Sequence, residues 1–154
     1  MTLAIIFSVA LSAATTIPCE RAQLTDIVAL IGGPAIPVPS EEMGEETAPG
    51  CMWSTLHRER EVKLTVWSKD ELPVLGLLDT KAYYVKLQAD ASSHGPIEEL
   101  KALGDSAFLT GFKGKPGSTT DGLIVVLKSD RLFVFDFNRT SLGTEREFVT
   151  KLMK

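Results

Sequence analysis

The chain has 154 residues, of which 44% are hydrophobic and 23% charged, with a formal net charge of −4. A chain of this length makes one domain able to bury roughly 68–70% of its unfolded surface, and the composition is globular, not disordered or collagenous. Its 16 basic residues are scattered singly or in pairs such as Arg58/Arg60 and Lys113/Lys115. That argues against a nucleic-acid surface, which needs clustered cations, and no basic amphipathic stretch suits a membrane surface.

The chain opens on "MTLAIIFSVALSAATTIP", an apolar run from Leu3 to Leu11 followed by Ser12, Ala13 and Ala14. This is the pattern of a secretory leader, with Ser12 and Ala14 as the small-x-small cleavage pair. It is shorter than the roughly 20 apolar residues a bilayer span needs. A basic n-region is missing, since no Lys or Arg precedes Arg21. The alternative is a first strand, "LAIIFSV". The reading adopted is a signal peptide over residues 1–14 and a single domain over 15–154, with no transmembrane span in the mature chain and a periplasmic or secreted location.

Export bears on the two cysteines. In an oxidising compartment two cysteines most simply form one disulfide, and Cys19–Cys51 is the one available pairing. It would close a loop of about 32 residues and contribute about 3–4 kcal/mol on the chain-entropy model. Two buried free thiols are the alternative. The spacing suits neither a zinc site nor a Cys–His nucleophile.

In "PCERAQLTDIVALIGG", Leu24, Ile27, Val28 and Ile31 recur at helical spacing until Gly32-Gly33-Pro34 stops them. Residues 34–50 carry four prolines and Glu41, Glu42, Glu45 and Glu46, and read as a solvated acidic loop without calcium-loop spacing. "CMWSTL" and "VKLTVW" flank the turn "HRERE", with Val62, Leu64 and Val66 alternating with Lys63, Thr65 and Trp67. "LLDTKAYYVKLQADAS" predicts a helix capped by Asp79, with Leu78, Ala82, Val85 and Ala89 on its apolar face. "IEELKALGDSAFLTGF" is a helical or extended lead-in that turns at Gly104 into a strand. The loop "GKPGSTTDG" precedes the strands "LIVVLK" and "RLFVFDF", joined by Ser129-Asp130. "GTEREFVTKLMK" ends the chain as a helix, with Thr144 and Glu147 as a capping box. The order predicts an α+β domain: an antiparallel meandering sheet of about five strands with helices packed on one face. The helix–hairpin order occurs twice, as in a pseudo-repeat.

Cys19 before "LTDIVALIGGPA", then "CMW" opening a strand, then "ALGDSAF" before the last strands together resemble a group of small exported bacterial proteins. Many of these are lipoproteins, and their function is unknown. Their pattern is Cys, a Leu-Thr helix, Leu-Gly, Cys-x-Trp/Tyr and Leu-Gly-Asp-x-Ala, matched here from Cys19 to Phe108. One departure from it matters: no lipobox cysteine directly follows "LSAA". The resemblance implies an exported α+β domain with a Cys19–Cys51 disulfide and no established activity.

Catalytic motifs are weak. "GDSAF" is similar to the nucleophile motif of Gly-Asp-Ser-Leu hydrolases, but Ala replaces Leu and neither histidine lies downstream of Ser106. Gly104-Asp105 is better read as turn chemistry. His57, Glu59 and Glu61 would share one side of an extended segment, but interleave with Arg58 and Arg60 in a charged turn. "GFKGKPGS" lacks the spacing of a phosphate loop. No catalytic residue, cofactor or metal site is assigned.

Two classes of function remain. The first is an exported binding module for a protein, envelope component or small ligand, with an outward Trp67 beside Lys63 and Thr65 as its face; the alternative is that a helix covers Trp67. The second is a small hydrolase or isomerase using Asp136, whose pKa would rise if it were buried between Phe135 and Phe137; the alternative is a solvent-facing position.

Overall fold

The computed structural model describes residues 18–38 and 48–154. The leader reading over 1–14 and most of the acidic run lie outside those residues. A 3-10 turn, Pro18–Arg21, precedes helix α1 (Leu24–Ile31) and strands β1 (Ile36–Val38), β2 (Gly50–Ser54) and β3 (Glu61–Trp67). A second 3-10 turn, Leu72–Leu75, leads to helix α2 (Thr80–His94). Strands β4 (Ile97–Glu99), β5 (Ser106–Gly111), β6 (Thr119–Lys128) and β7 (Arg131–Ser141) and helix α3 (Glu145–Met153) complete the domain. The strands form one antiparallel sheet in the order β1-β2-β3-β7-β6-β5-β4. Two meanders meet where β3 pairs with β7, from Glu61 opposite Asn138 to Trp67 opposite Leu132.

The α+β class and the meandering sheet are as expected, but among the described residues the sheet has seven strands, not about five. The two extra strands are the edges. β1 carries Pro37, which cannot donate to a ladder and is tolerated at an edge. β4 is three residues long and opens the lead-in to β5.

The helices cover both faces, which corrects the one-face expectation. On β7, Phe133, Phe135 and Phe137 join Ile27, Leu30 and Ile31 of α1 and Phe148, Val149 and Leu152 of α3 in one core. The alternate residue Leu132 joins Trp67, Phe108, Val125 and Tyr84 of α2 in the other. Successive strand residues point to opposite faces, so runs that are apolar at every position, such as Ile124-Val125-Val126, need cover on both sides. The helix-then-meander order does recur, but α1 and α2 lie on opposite faces, so the packing does not repeat.

Three local expectations also change. The buried stripe of α1 is Ile27, Leu30 and Ile31, with Leu24 exposed. Asp79 caps α2 as expected, its carboxylate accepting the Ala82 N–H at 2.6 Å. The helix is rotated from the predicted face, however: Tyr84 is buried and Tyr83, Leu87 and Ala91 pack with it, while Leu78 is 92% exposed and Val85 is exposed. The large aromatic area of Tyr83 and Tyr84 outweighs an aliphatic stripe diluted by alanines. Thr144 makes no side-chain cap on α3 and donates instead to the Ser141 carbonyl. Glu145 takes over the end of β7, accepting from Gly143 N–H at 2.8 Å and the Thr140 hydroxyl at 3.3 Å.

Candidate functional site

The motifs behind the family resemblance do structural work. Cys19 and Cys51 form a disulfide with their Cα atoms 6.1 Å apart, tying the turn before α1 to β2. Gly32 ends α1 at φ 69°, and Arg60 Nη1 donates to the Ile31 carbonyl at 3.1 Å. Trp53 of "CMW" meets Phe148 of α3 edge-on. In "LGDSA", Gly104 has φ 66°, and a side chain there would strike the Leu127 carbonyl. Asp105 N–H donates to that carbonyl at 2.7 Å, and its carboxylate accepts the Ser129 N–H at 2.8 Å. Ser106 is an exposed residue at the start of β5, and the Gly104-Asp105 part of "GDSAF" braces a turn.

The proposed aromatic face is not on the surface. Trp67 is 6% exposed and packs edge-on to Tyr83 of α2 at 5.4 Å between ring centres. Thr65 is buried beside it and Lys63 is half-buried. The outward Trp67 is therefore corrected: α2 covers it. Of the two positions open to Asp136, buried between Phe135 and Phe137 or facing solvent, the structure has the second: Asp136 is exposed. His57 and Glu59 are exposed in the β2–β3 turn, where the Thr55 hydroxyl accepts from the Glu59 N–H. Among the described residues no three His, Cys, Asp or Glu side chains converge as a metal ligand set.

The α2 face thins out along β7. Leu132 is fully buried, Val134 half-buried and Asp136 exposed, because α2 ends at His94 before reaching the far end of the strand. A cleft of about 340 Å3 lies there, between the end of α2 and strands β5 to β7. Among the described residues its polar wall consists of His94, Thr110, Lys113, Asp121 and Asp136. Lys63 stands directly across from Asp136 in the β3–β7 register, an opposite-charge neighbour on the same face.

Several of these groups are held in place. His94 Nδ1 lies 2.8 Å from the Asp90 carbonyl and 3.0 Å from Ser93 Oγ, and the Ser93 hydroxyl donates to the same carbonyl at 2.7 Å. Because the serine proton goes to the helix carbonyl, the pair ends a helix and does not activate a nucleophile. Thr110 donates to the Pro96 carbonyl at 3.2 Å, and Asp121 accepts the Arg139 N–H at 2.7 Å. The wall thus offers two carboxylates, an ammonium, an imidazole and a hydroxyl, a set suited to holding a polar ligand by charge and hydrogen bonds. Sequence reasoning identified Asp136 alone as a member of such a site. His94, Lys113 and Asp121 are far from it in the chain and carry no local signal.

The architecture is that of an α+β domain built on one antiparallel sheet with helices on both faces. No family model and no curated protein matches the chain. Among solved structures it is similar to cyanobacterial PsbP (CyanoP) from Synechocystis sp. PCC 6803, a solution structure. That similarity has a TM-score of 0.38 at 14% identity and covers 77% of this chain and 76% of that chain. A likeness this distant carries no inference about function.

Proposed function

We propose that the protein is an exported binding domain of the group its motifs resemble, taking a small polar ligand or a short partner segment into the cleft at the end of α2. The observation that carries this reading is the gathering of Asp136, Asp121, Lys113 and His94 in one concavity where the helix stops covering the sheet. Carboxylates and an ammonium side by side favour a ligand that itself carries both signs of charge, such as an amino acid or a peptide terminus. Export is supported by the apolar, uncharged opening of the chain and by the Cys19–Cys51 disulfide, which suits an oxidising compartment.

The test uses protein recovered from a secreting host. Its intact mass should correspond to a chain starting near Thr15, two protons lighter than the reduced form. A panel of amino acids and short peptides is then titrated against wild type, Asp136→Asn and Lys113→Gln, all at exposed positions. Saturable binding weakened in both variants supports the cleft. Binding left unchanged in both, or none by wild type, refutes it. Turnover of an ester or amide abolished by Asp136→Asn would replace it with the carboxylate-enzyme reading.

A further inference from the structure

A second concavity lies at the opposite end of β6 and β7, on the face covered by α1 and α3. Arg21, Lys128 and Arg131 stand around a space of about 270 Å3 whose apolar wall is Phe133, Leu152 and Met153. Among the described residues, three of the seven that line it are cationic and none is acidic, in a chain whose net charge is −4.

The three cations are not equivalent. Lys128 Nζ donates to the Met153 carbonyl at 2.6 Å, where it offsets the partial negative charge at the end of α3. Among the described residues neither Arg21 nor Arg131 has an ion-pair partner or a side-chain hydrogen bond. Their backbones are well anchored. Arg21 closes the 3-10 turn that holds the disulfide-bonded Cys19, and Arg131 is the first residue of β7 after the tight Ser129-Asp130 turn. The acids next to them in sequence, Glu20 and Asp130, are not among the lining residues, and the carboxylate of Asp105 is taken up by the Ser129 N–H.

Two guanidiniums without partners among the described residues, beside buried apolar side chains, match an oxyanion attached to an apolar group. Guanidinium binds phosphate and carboxylate through paired N–H donors, and the adjoining Phe133, Leu152 and Met153 would be contacted by hydrocarbon. We propose that this pocket binds an anionic amphiphile, its phosphate or carboxylate head held by Arg21 and Arg131 and its first carbons against Phe133, Leu152 and Met153. Such a head could belong to a free organic anion or to a lipid in a bilayer. This site is separate from the cleft at the end of α2, so either can fail without the other.

Binding is measured with octyl phosphate below its micelle concentration, with inorganic phosphate, and by cosedimentation with phosphatidylglycerol–phosphatidylcholine vesicles against phosphatidylcholine alone. Wild type should bind octyl phosphate saturably and at least tenfold more tightly than inorganic phosphate. The double variant Arg21→Gln/Arg131→Gln should lose at least tenfold, and raised salt should weaken the wild type. Arg21→Lys/Arg131→Lys, which keeps the charge but not the paired donors, should fall between them and serves if the glutamine variant unfolds earlier than wild type. Binding to the anionic vesicles without binding to free octyl phosphate assigns the head to a bilayer lipid; the reverse assigns it to a free anion. No binding in either arm, equal binding by the double variants, or inorganic phosphate binding as tightly as octyl phosphate overturns the proposal.

Discussion

The carboxylate of Asp105 accepts the backbone N–H of Ser129 across 2.8 Å, joining the start of β5 to the β6–β7 turn 24 residues later. Ser129 and Asp130 both have positive φ, 48° and 59°, so this turn adopts a conformation that non-glycine residues resist. The Asp105 carboxylate is one of the contacts that offsets that cost. Asp105→Ala should destabilise the fold by about 1–2 kcal/mol, while Asp105→Asn, which retains an acceptor, costs less. Ser106→Ala should stay within about 0.5 kcal/mol, as for an exposed position away from any special feature. Urea denaturation checks all three, read as a shift in midpoint at constant slope. A large loss from Ser106→Ala with Asp105→Ala silent would mean that the motif has another role.

Cys19 and Cys51 tie the turn before α1 to β2. Cys19→Ser/Cys51→Ser should lose about 3–4 kcal/mol, mainly because the reduced unfolded chain recovers its loop entropy. Mass spectrometry without reductant establishes the bond, and denaturation with and without reductant measures its worth. Two titratable thiols in freshly exported wild type would refute the pairing.

Gly122 lies beneath the ring of Phe112, and a Cβ added there would come within 2.5 Å of its carbon atoms. Phe112 in turn packs edge-on to Phe137 at 5.5 Å, so the ring has core on its far side. Gly122→Ala is expected to cost about 1–3 kcal/mol through overpacking. In the double variant with Phe112→Leu the two losses should sum to less than their independent total, because the smaller side chain relieves the clash. Strict additivity in a double-mutant cycle would show that the ring does not press on the glycine.

Tyr84 is held above the ordinary tyrosine value of 10.0, chiefly by burial and secondarily by the charge of Glu99. The unfolded chain therefore loses this proton first on titration to alkali. The folded state binds more protons above pH 10, and stability must fall as pH rises through the unfolded value toward the folded one. Below that window the group makes no pH-dependent contribution. Tyr84→Phe should lose less melting temperature than wild type between pH 8 and pH 11. Parallel losses in the two proteins would exclude Tyr84 as the source.

Trp67→Ala is a core truncation beneath Tyr83 and should cost about 3–5 kcal/mol. A surface role would leave the melting temperature nearly unchanged.

What the sequence determined by itself is what neighbouring residues decide. Val62, Leu64 and Val66 alternate with Lys63, Thr65 and Trp67, and that period of two makes β3 a strand wherever it packs. Asp79 caps α2 through a carboxylate three residues from its partner amide, and Gly32 ends α1 because it enters the left-handed region freely. The two cysteines had one pairing open to them, and the structure bonds them. The tertiary structure alone decided which faces are covered. Trp67 and Asp136 each sit on an alternating strand, and whether such a residue meets a helix or solvent depends on where α2 lies and where it stops. The edge strands β1 and β4 are three residues each, and their pairing comes from partners already in place, not from propensity of their own. Both concavities arise the same way. His94, Lys113, Asp121 and Asp136 on one face, and Arg21 and Arg131 on the other, come together because an antiparallel sheet sets distant segments side by side, and no local period records that encounter.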